Sequence, residues 1–451
     1  MKKKVFKAKK QKNKVSINQE WEPINPHAAG VDLGSREHWV AIPPGRGGQT
    51  VRSFGTLTPD LEALADWLEA AKVSTVAMEA TGVYWIPLFQ LLERRGFKVL
   101  LVNARQIKSV TGRKSDVLDC QWIQRLHTYG LLGGSFRPAD PYCVVRSYLR
   151  YREELVSARS TQIQHMQKAL LQMNLQLMQV ISDISGESGR AIIAAILAGE
   201  RNPLVLAEKA SRRIKSPQDQ IAKALIGDYR AEHLFVLAAA FSLYETYQTK
   251  IAECNEALIK ELEQLPDKVD IKAKPIGPKA AGKKMDEKLR LGLYQKMGVD
   301  LSAVEGIGAA VALTMLTEVG PDLSAFKTEK HFTSWLGLCP DNRISGGKIL
   351  SCRTRRVLNR LSDALRLAAT SLECSQSALG AYYRRMKAKL GAAEGVTATA
   401  HKLARIIYRL IKHGEDYVRQ GLEQYEKKHK ERRIKQLQRA AASLGLQLLP
   451  A

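Results

Sequence analysis

From Ala28 to Val102 the apolar pattern changes period in an order that few folds accept. A short apolar run, Ala28 to Leu33, stops at Gly34; His38 to Ile42 and Thr50 to Leu57 follow across turns rich in Pro and Gly. These runs have strand length and tight boundaries, so they read as a three-strand meander. Thr58-Pro59-Asp60 then opens a helix with Leu61, Leu64, Leu68 and Ala71 on one face. Val73 to Met78 reads as a strand, Val83 to Arg95 as a helix and Phe97 to Val102 as a strand, with another helix beyond. A meander followed by helix–strand units builds a mixed α/β sheet flanked by helices.

Carboxylates fall at the ends of these strands. Asp32 closes the first, in Gly30-Val31-Asp32-Leu33-Gly34, and Glu79 closes the fourth, in Met78-Glu79-Ala80-Thr81-Gly82. Asp116 and Asp119 follow three residues apart, a spacing that puts both on one face of a helix. Four carboxylates at one sheet edge repel one another unless cations hold them, and oxygen-only ligands suit magnesium. Two ions at such a rim would stabilise the attacking and leaving oxygens of phosphodiester cleavage. Singly, each acid reads as well as a turn residue or a solvated helix face. Their joint placement is the layout of a ribonuclease H-like nuclease. Val-Asp-Leu-Gly-Ser also fits the phosphate hairpin of actin-like sugar kinases, but no second Asp-Gly-Gly loop follows.

The charge balance agrees with a nuclease. Seventy Lys and Arg against 45 Asp and Glu leave a formal charge of +25, which calls for a polyanionic partner. Apolar runs such as Ala191 to Ala198 are too short to span a bilayer, and the Lys-rich start has no apolar stretch after it, so no membrane or secretory role is expected. Six scattered cysteines without a CxxC pair fit a reducing cytoplasm.

Six segments follow: a basic arm over 1–26, the acidic α/β domain over 27–142, a helical region over 143–265, a Lys/Pro/Gly-rich linker or insertion over 266–298, a mostly helical domain over 299–420 and a basic tail over 421–451. In the helical region Ile163, Met166, Leu170, Met173, Leu177, Val180 and Ile184 step by three and four, a heptad seam. A second seam runs from Leu237 to Leu262. The two suggest a dimerising coiled coil or a hairpin packed within one chain.

Two further motifs lie in the last domain. Glu305-Gly306-Ile307-Gly308 reads as the turn of a helix–hairpin–helix element, whose amides face a phosphate, or as an ordinary tight connection. Gly337 to Lys348 reads as a Gly-rich loop carrying Ser345 between Arg343 and Lys348. An exposed hydroxyl among cations can attack a phosphate, although residue types alone favour a turn-forming serine. Arg353, Arg355, Arg356 and Arg360, read as a following helix, suit phosphate contacts.

Gly-Val-Asp-Leu-Gly, Met-Glu-Ala-Thr-Gly-Val-Tyr-Trp and Arg-Lys-Ser-Asp-Val-Leu-Asp-Cys, with Val-Glu-Gly-Ile-Gly and Ile-Ser-Gly-Gly-Lys further on, resemble the DEDD transposases of the IS110 insertion-sequence family, which includes Piv-type invertases. The resemblance spans roughly residues 27–420. It implies a RuvC-like N-terminal domain with Asp32, Glu79, Asp116 and Asp119 as its acidic four, and Ser345 as a nucleophile that forms a phosphoserine link to DNA. It also implies donor and target DNA, a noncoding bridge RNA as guide, dimers assembling into tetramers, and a cytoplasmic, nucleoid-associated bacterial setting. A hydrolytic RuvC-like nuclease, with Ser345 only a turn residue, is the alternative reading. A noncatalytic scaffold is disfavoured, because bare acids repel phosphate.

Overall fold

The computed structural model describes residues 22–45, 48–80, 82–107, 115–277 and 287–414, with part of 427–445. The Lys-rich arm and most of the basic tail lie outside the described residues. The chain divides into two compact units, one ending at Phe136 and the other starting at Arg137.

The first unit contains β1 (Ala28–Leu33), β2 (Glu37–Ala41), β3 (Val51–Gly55), α1 (Thr58–Ala70), β4 (Thr75–Glu79), α2 (Trp85–Arg94), β5 (Lys98–Val102), α3 (Ala104–Ile107) and α4 (Asp116–Thr128). The five strands form one sheet in the order β3-β2-β1-β4-β5. β1, β2 and β3 pair antiparallel; β1, β4 and β5 pair parallel. This is the ribonuclease H-like mixed sheet expected from the sequence.

Strand alternation divides the sheet into two faces. Ala29, Val31, Val76 and Met78 point to one side, where they bury Leu61, Leu64 and Leu68 of α1 and Leu88 and Leu92 of α2. Ala77 and Val102 point to the other, against Ile123 of α4 and Ile107 of α3. Fully burying each Leu or Ile side chain contributes about 1.5–3 kcal/mol, so the two faces fix the helices firmly.

The second unit begins with α5 (Asp140–Gln172), followed by α6 (Leu177–Val180), α7 (Glu187–Leu197), α8 (Pro203–Glu208), α9 (Gln218–Ala224) and α10 (Ala231–Gln264). α5 and α10 lie antiparallel: Arg152 donates to Asn255 at 2.6 Å and Arg159 to Gln248 at 2.7 Å, with Leu155, Ile251 and Cys254 buried between. Met166, Leu170, Leu237, Ala240 and Tyr244 join a common core with α6 to α9.

Two expectations change here. The seam from Ile163 to Ile184 is not one helix: α5 ends at Gln172 and Asn174 turns the chain with φ +55°. Its apolar residues are consumed inside one chain, since Met166, Leu170, Met173 and Leu177 are fully buried in that core. The stripe read as a dimer seam is therefore a cap on the helical hairpin.

The remaining elements are α11 (Glu287–Met297), α12 (Ala309–Glu318), α13 (Glu329–Trp335), β6 (Arg343–Ser345), β7 (Lys348–Ser351), α14 (Arg360–Thr370), α15 (Ala378–Leu390) and α16 (Ala392–His413). Three more corrections follow. Part of the 266–298 linker is the helix α11, which buries Leu293 and Tyr294 and pairs Arg290 with Asp300 at 2.5 Å; residues 278–286 lie outside the described residues. The Gly-rich loop at 337–348 contains a β-hairpin strand, because Gly346-Gly347 supplies a two-residue turn. Arg353, Arg355 and Arg356 sit on an extended segment bridged to Pro340 through Thr354, since the helix starts only at Arg360.

Candidate active site

Parallel pairing sets β1 beside β4 with Val31 opposite Met78. One residue further along both strands come Asp32 and Glu79, at neighbouring strand ends about 4.8 Å apart. Val31 and Met78 face α1 and α2, so Asp32 and Glu79 point to the opposite side, the side of α4. Both are half-buried.

α4 crosses this face at close range because Gly30 has no side chain. A Cβ at Gly30 would lie 2.2 Å from the Gln124 nitrogen and 2.5 Å from the Cys120 oxygen. Gln124 Nε2 donates to the Ala28 carbonyl at 3.3 Å. Ala28 thus meets Gln124, Gly30 meets Cys120, and Asp32 lies toward the first turn of α4. That turn is started by Ser115, whose hydroxyl accepts from the Leu118 amide at 3.4 Å, and it carries Asp116 and Asp119. Burial pushes the Cys120 thiol pKa up to about 12, and the negative fields of Asp32 and Asp119 add to it.

The donor chemistry fits a hard divalent cation, because the rim offers carboxylate oxygens from two strand ends and a helix start. Among the described residues, however, no three His, Cys, Asp or Glu side chains are grouped closely enough to hold an ion. Asp32 and Glu79 lie near the ends of adjacent strands, and Asp116 and Asp119 lie in the first turn of α4.

The other predicted residues belong to the second unit. Ser345 ends β6, opposite Lys348 of β7, and every residue from Asp341 to Leu350 is exposed. Gly346 and Gly347, at φ +55° and +76°, make the turn between them. Arg343 begins the same strand. Arg355 donates to the Ser334 carbonyl at 3.0 Å, and Arg360 is paired with Glu153. Gly306 turns at φ +82° against Ala368 and Leu372 of the α14 region, while Gly308 is exposed and starts α12. Gly306 and Gly308 thus lie in the connection between α11 and α12, after a short turn of helix at Leu301–Ala303.

Sequence reasoning missed Gly30, Gln124 and Cys120 as the parts that bring α4 to the rim. The only signal was a small residue two positions before Asp32. The basic run Arg384, Arg385, Lys387 and Lys389 after Tyr382-Tyr383 also reads from the sequence as a cluster suited to phosphate contacts; what the sequence does not reveal is Lys402, which lies with Arg385 over the Tyr382 ring, at 4.4 and 5.4 Å from its centroid.

Comparison with known proteins gives two family matches. Residues 29–175 match the DEDD transposase profile of the IS110 type, described as a transposase. Residues 300–384 match the profile of the transposase IS116/IS110/IS902 family. The first match contains all four rim acids and the second contains Ser345. The putative transposase y4pF/y4sB of Sinorhizobium fredii (strain NBRC 101917 / NGR234) is 32% identical over 146 residues, covering 30% of this chain and 36% of that protein. The chain thus spans little more than a third of that relative's length. No helix among the described residues is long and apolar enough to cross a membrane. With its mixed sheet, its acids at the strand ends and both halves matched, the chain belongs to the IS110 family of transposases, with a DEDD N-terminal domain and a Transposase_20 C-terminal domain.

Proposed function

We propose that the chain cleaves and rejoins DNA strands for an insertion sequence, using Ser345 as nucleophile and the acids Asp32, Glu79, Asp116 and Asp119 to hold magnesium. The observation that supports this reading is the position of Asp32 and Glu79, each one residue beyond the Val31–Met78 pair of two adjacent parallel strands, on the sheet face that α4 covers. When bound there, a divalent ion would offset charge on the phosphoryl oxygens. The Ser345 oxygen attacks phosphorus, its proton leaves to a base or solvent, a serine–phosphate bond forms, and the strand's P–O bond breaks with a proton added to the departing oxygen. The phosphodiester energy is kept in the new ester, so rejoining needs no external energy source. Arg343 and Lys348, exposed on the same hairpin, would orient the phosphate.

The partners in this reading are donor and target DNA and a noncoding bridge RNA, with dimers that assemble into tetramers. The formal +25 charge supports a nucleic-acid partner. Gly306, Gly308, Arg353, Arg355, Arg356 and Arg360 are the proposed backbone contacts.

The test uses a nicked suicide duplex resolved under denaturing conditions. Wild type should give protein-linked DNA in magnesium. Ser345→Ala should give neither adduct nor recombinant, and Asp32→Asn should give neither as well. Cleavage by Ser345→Ala at the wild-type rate, without an adduct, would replace the serine mechanism with hydrolysis. Sequencing of co-purified RNA should show enrichment of the element's noncoding flank; its absence removes RNA guidance from the proposal.

A further inference from the structure

The ribbon of β6 and β7 has an arrangement that a nucleophilic serine alone does not explain. Its register pairs Ser345 with Lys348 and Ile344 with Ile349. Paired residues share a face and successive residues alternate, so Ser345 and Lys348 occupy one face and the two isoleucines the other. Ile344 and Ile349 are 61% and 60% exposed, one step from the turn. An isolated two-stranded hairpin is marginal in water, and a cross-strand pair of bare isoleucines adds apolar surface with no core to bury it.

The surroundings identify the occupant. Arg343 and Lys348 are the chain neighbours of the isoleucines, Arg353, Arg355 and Arg356 follow β7, and Asp341 is the sole acid from 341 to 358. A protein surface would have to bring an apolar socket ringed by acids. A DNA duplex already has that order, with an apolar base stack between two rows of phosphates. Isoleucine and leucine side chains inserted between base steps unstack them when cations grip the backbone on either side.

Resting on the reading of the chain as a DNA-cleaving enzyme, we infer that Ile344 and Ile349 form a wedge that enters a base step beside the cleaved phosphate. The ribbon tip is then held at one step of the helix, and this fixes which phosphate meets the Ser345 hydroxyl on the opposite face. The wedge is a positioning device, distinct from the nucleophile.

The test is a nicked duplex oligonucleotide with 2-aminopurine next to the nick, titrated in EDTA so that no strand is cut. 2-Aminopurine brightens when it unstacks. At saturating wild-type protein the fluorescence should rise severalfold. Ile344→Ser/Ile349→Ser should lose most of that rise at saturation, and Ile344→Leu/Ile349→Leu should keep it. Both side chains are exposed, so unchanged far-ultraviolet dichroism is expected for each variant. An unchanged signal in the serine pair overturns the wedge. So does salt-sensitive binding by wild type with no brightening, which leaves the DNA-cleavage reading standing. Absence of DNA binding by protein carrying its co-purified RNA overturns both. A serine pair that alters the mass in light scattering and leaves the fluorescence unchanged assigns the isoleucines to a protein contact and overturns the wedge.

Discussion

Replacing Gly30 with alanine tests whether α4 is what carries Asp116 and Asp119 to Asp32. The added carbon would sit 2.2 Å from the Gln124 nitrogen, 2.5 Å from the Cys120 oxygen and 2.7 Å from the Gln124 Cα. All three are backbone atoms, so no side chain can swing aside. Restoring ordinary contact requires α4 to retreat by about 1 Å. Overpacking of this kind costs about 1–3 kcal/mol, and the absence of a flexible neighbour places Gly30→Ala at the upper end. A domain with about 5–15 kcal/mol of stability still folds. Catalysis is more sensitive, because a displacement of about 1 Å can cost on the order of 100-fold in rate. Urea denaturation should therefore show a lower midpoint with an unchanged slope, together with a loss of strand cleavage well beyond the change in folded fraction. Gly292→Ala is the control: a Cβ there meets nothing within 4 Å, and a helix interior gains up to about 1 kcal/mol from the change. A Gly30→Ala protein as stable as wild type would mean that α4 does not rest on β1 at this point. One that is destabilised but cleaves at full rate would break the link between α4 and the chemistry.

Three further outcomes follow from the packing. His127 is buried with Nε2 2.9 Å from the Thr75 hydroxyl, and its pKa is lowered to about 4 by burial and then by Lys98. The folded value lies below the unfolded 6.5, so this contribution is complete above pH 6.5, falls by about 2 kcal/mol at pH 5 and is fully lost below pH 4. His127→Gln should flatten the urea midpoint between pH 7 and pH 5, and an equally steep profile would refute the assignment. Leu170→Glu places a charge in the core of the helical cap and should unfold α6 to α9 by circular dichroism; a folded monomer in light scattering would restore the dimer-seam reading. Arg290→Met leaves Asp300 buried without its ion pair and should cost about 3–5 kcal/mol, with Arg290→Met/Asp300→Asn recovering much of it; equal stability of the two variants would refute the pairing.

The sheet was legible because strand period, helix period and turn residues agree from Ala28 to Val102, and the same pattern places Asp32 and Glu79 near the ends of neighbouring strands. The helix break after Gln172 was not. The residues beyond Asn174 are also buried, so apolar spacing runs on through a turn that leaves the helix. Lysine-rich composition hid α11, whose Arg290 is buried by pairing with Asp300 and whose Lys296 donates to the Leu265 carbonyl at 2.5 Å. The hairpin was within reach: Ile-Ser-Gly-Gly-Lys-Ile is a two-residue turn between matched strands, but the surrounding glycines made it read as a loop. The approach of α4 to Gly30 is a tertiary contact with no local signature.

The antiparallel pair α5 and α10 has 33 and 34 residues, which at 1.5 Å per residue makes a rod about 50 Å long. One end carries the α6–α9 cap and the other leads to α12, held by the 2.7 Å pair of Arg150 with Glu318. The rod therefore fixes the separation between the α6–α9 cap and α12, and inserting one heptad into each helix would lengthen it by about 10 Å without altering any residue at either tip.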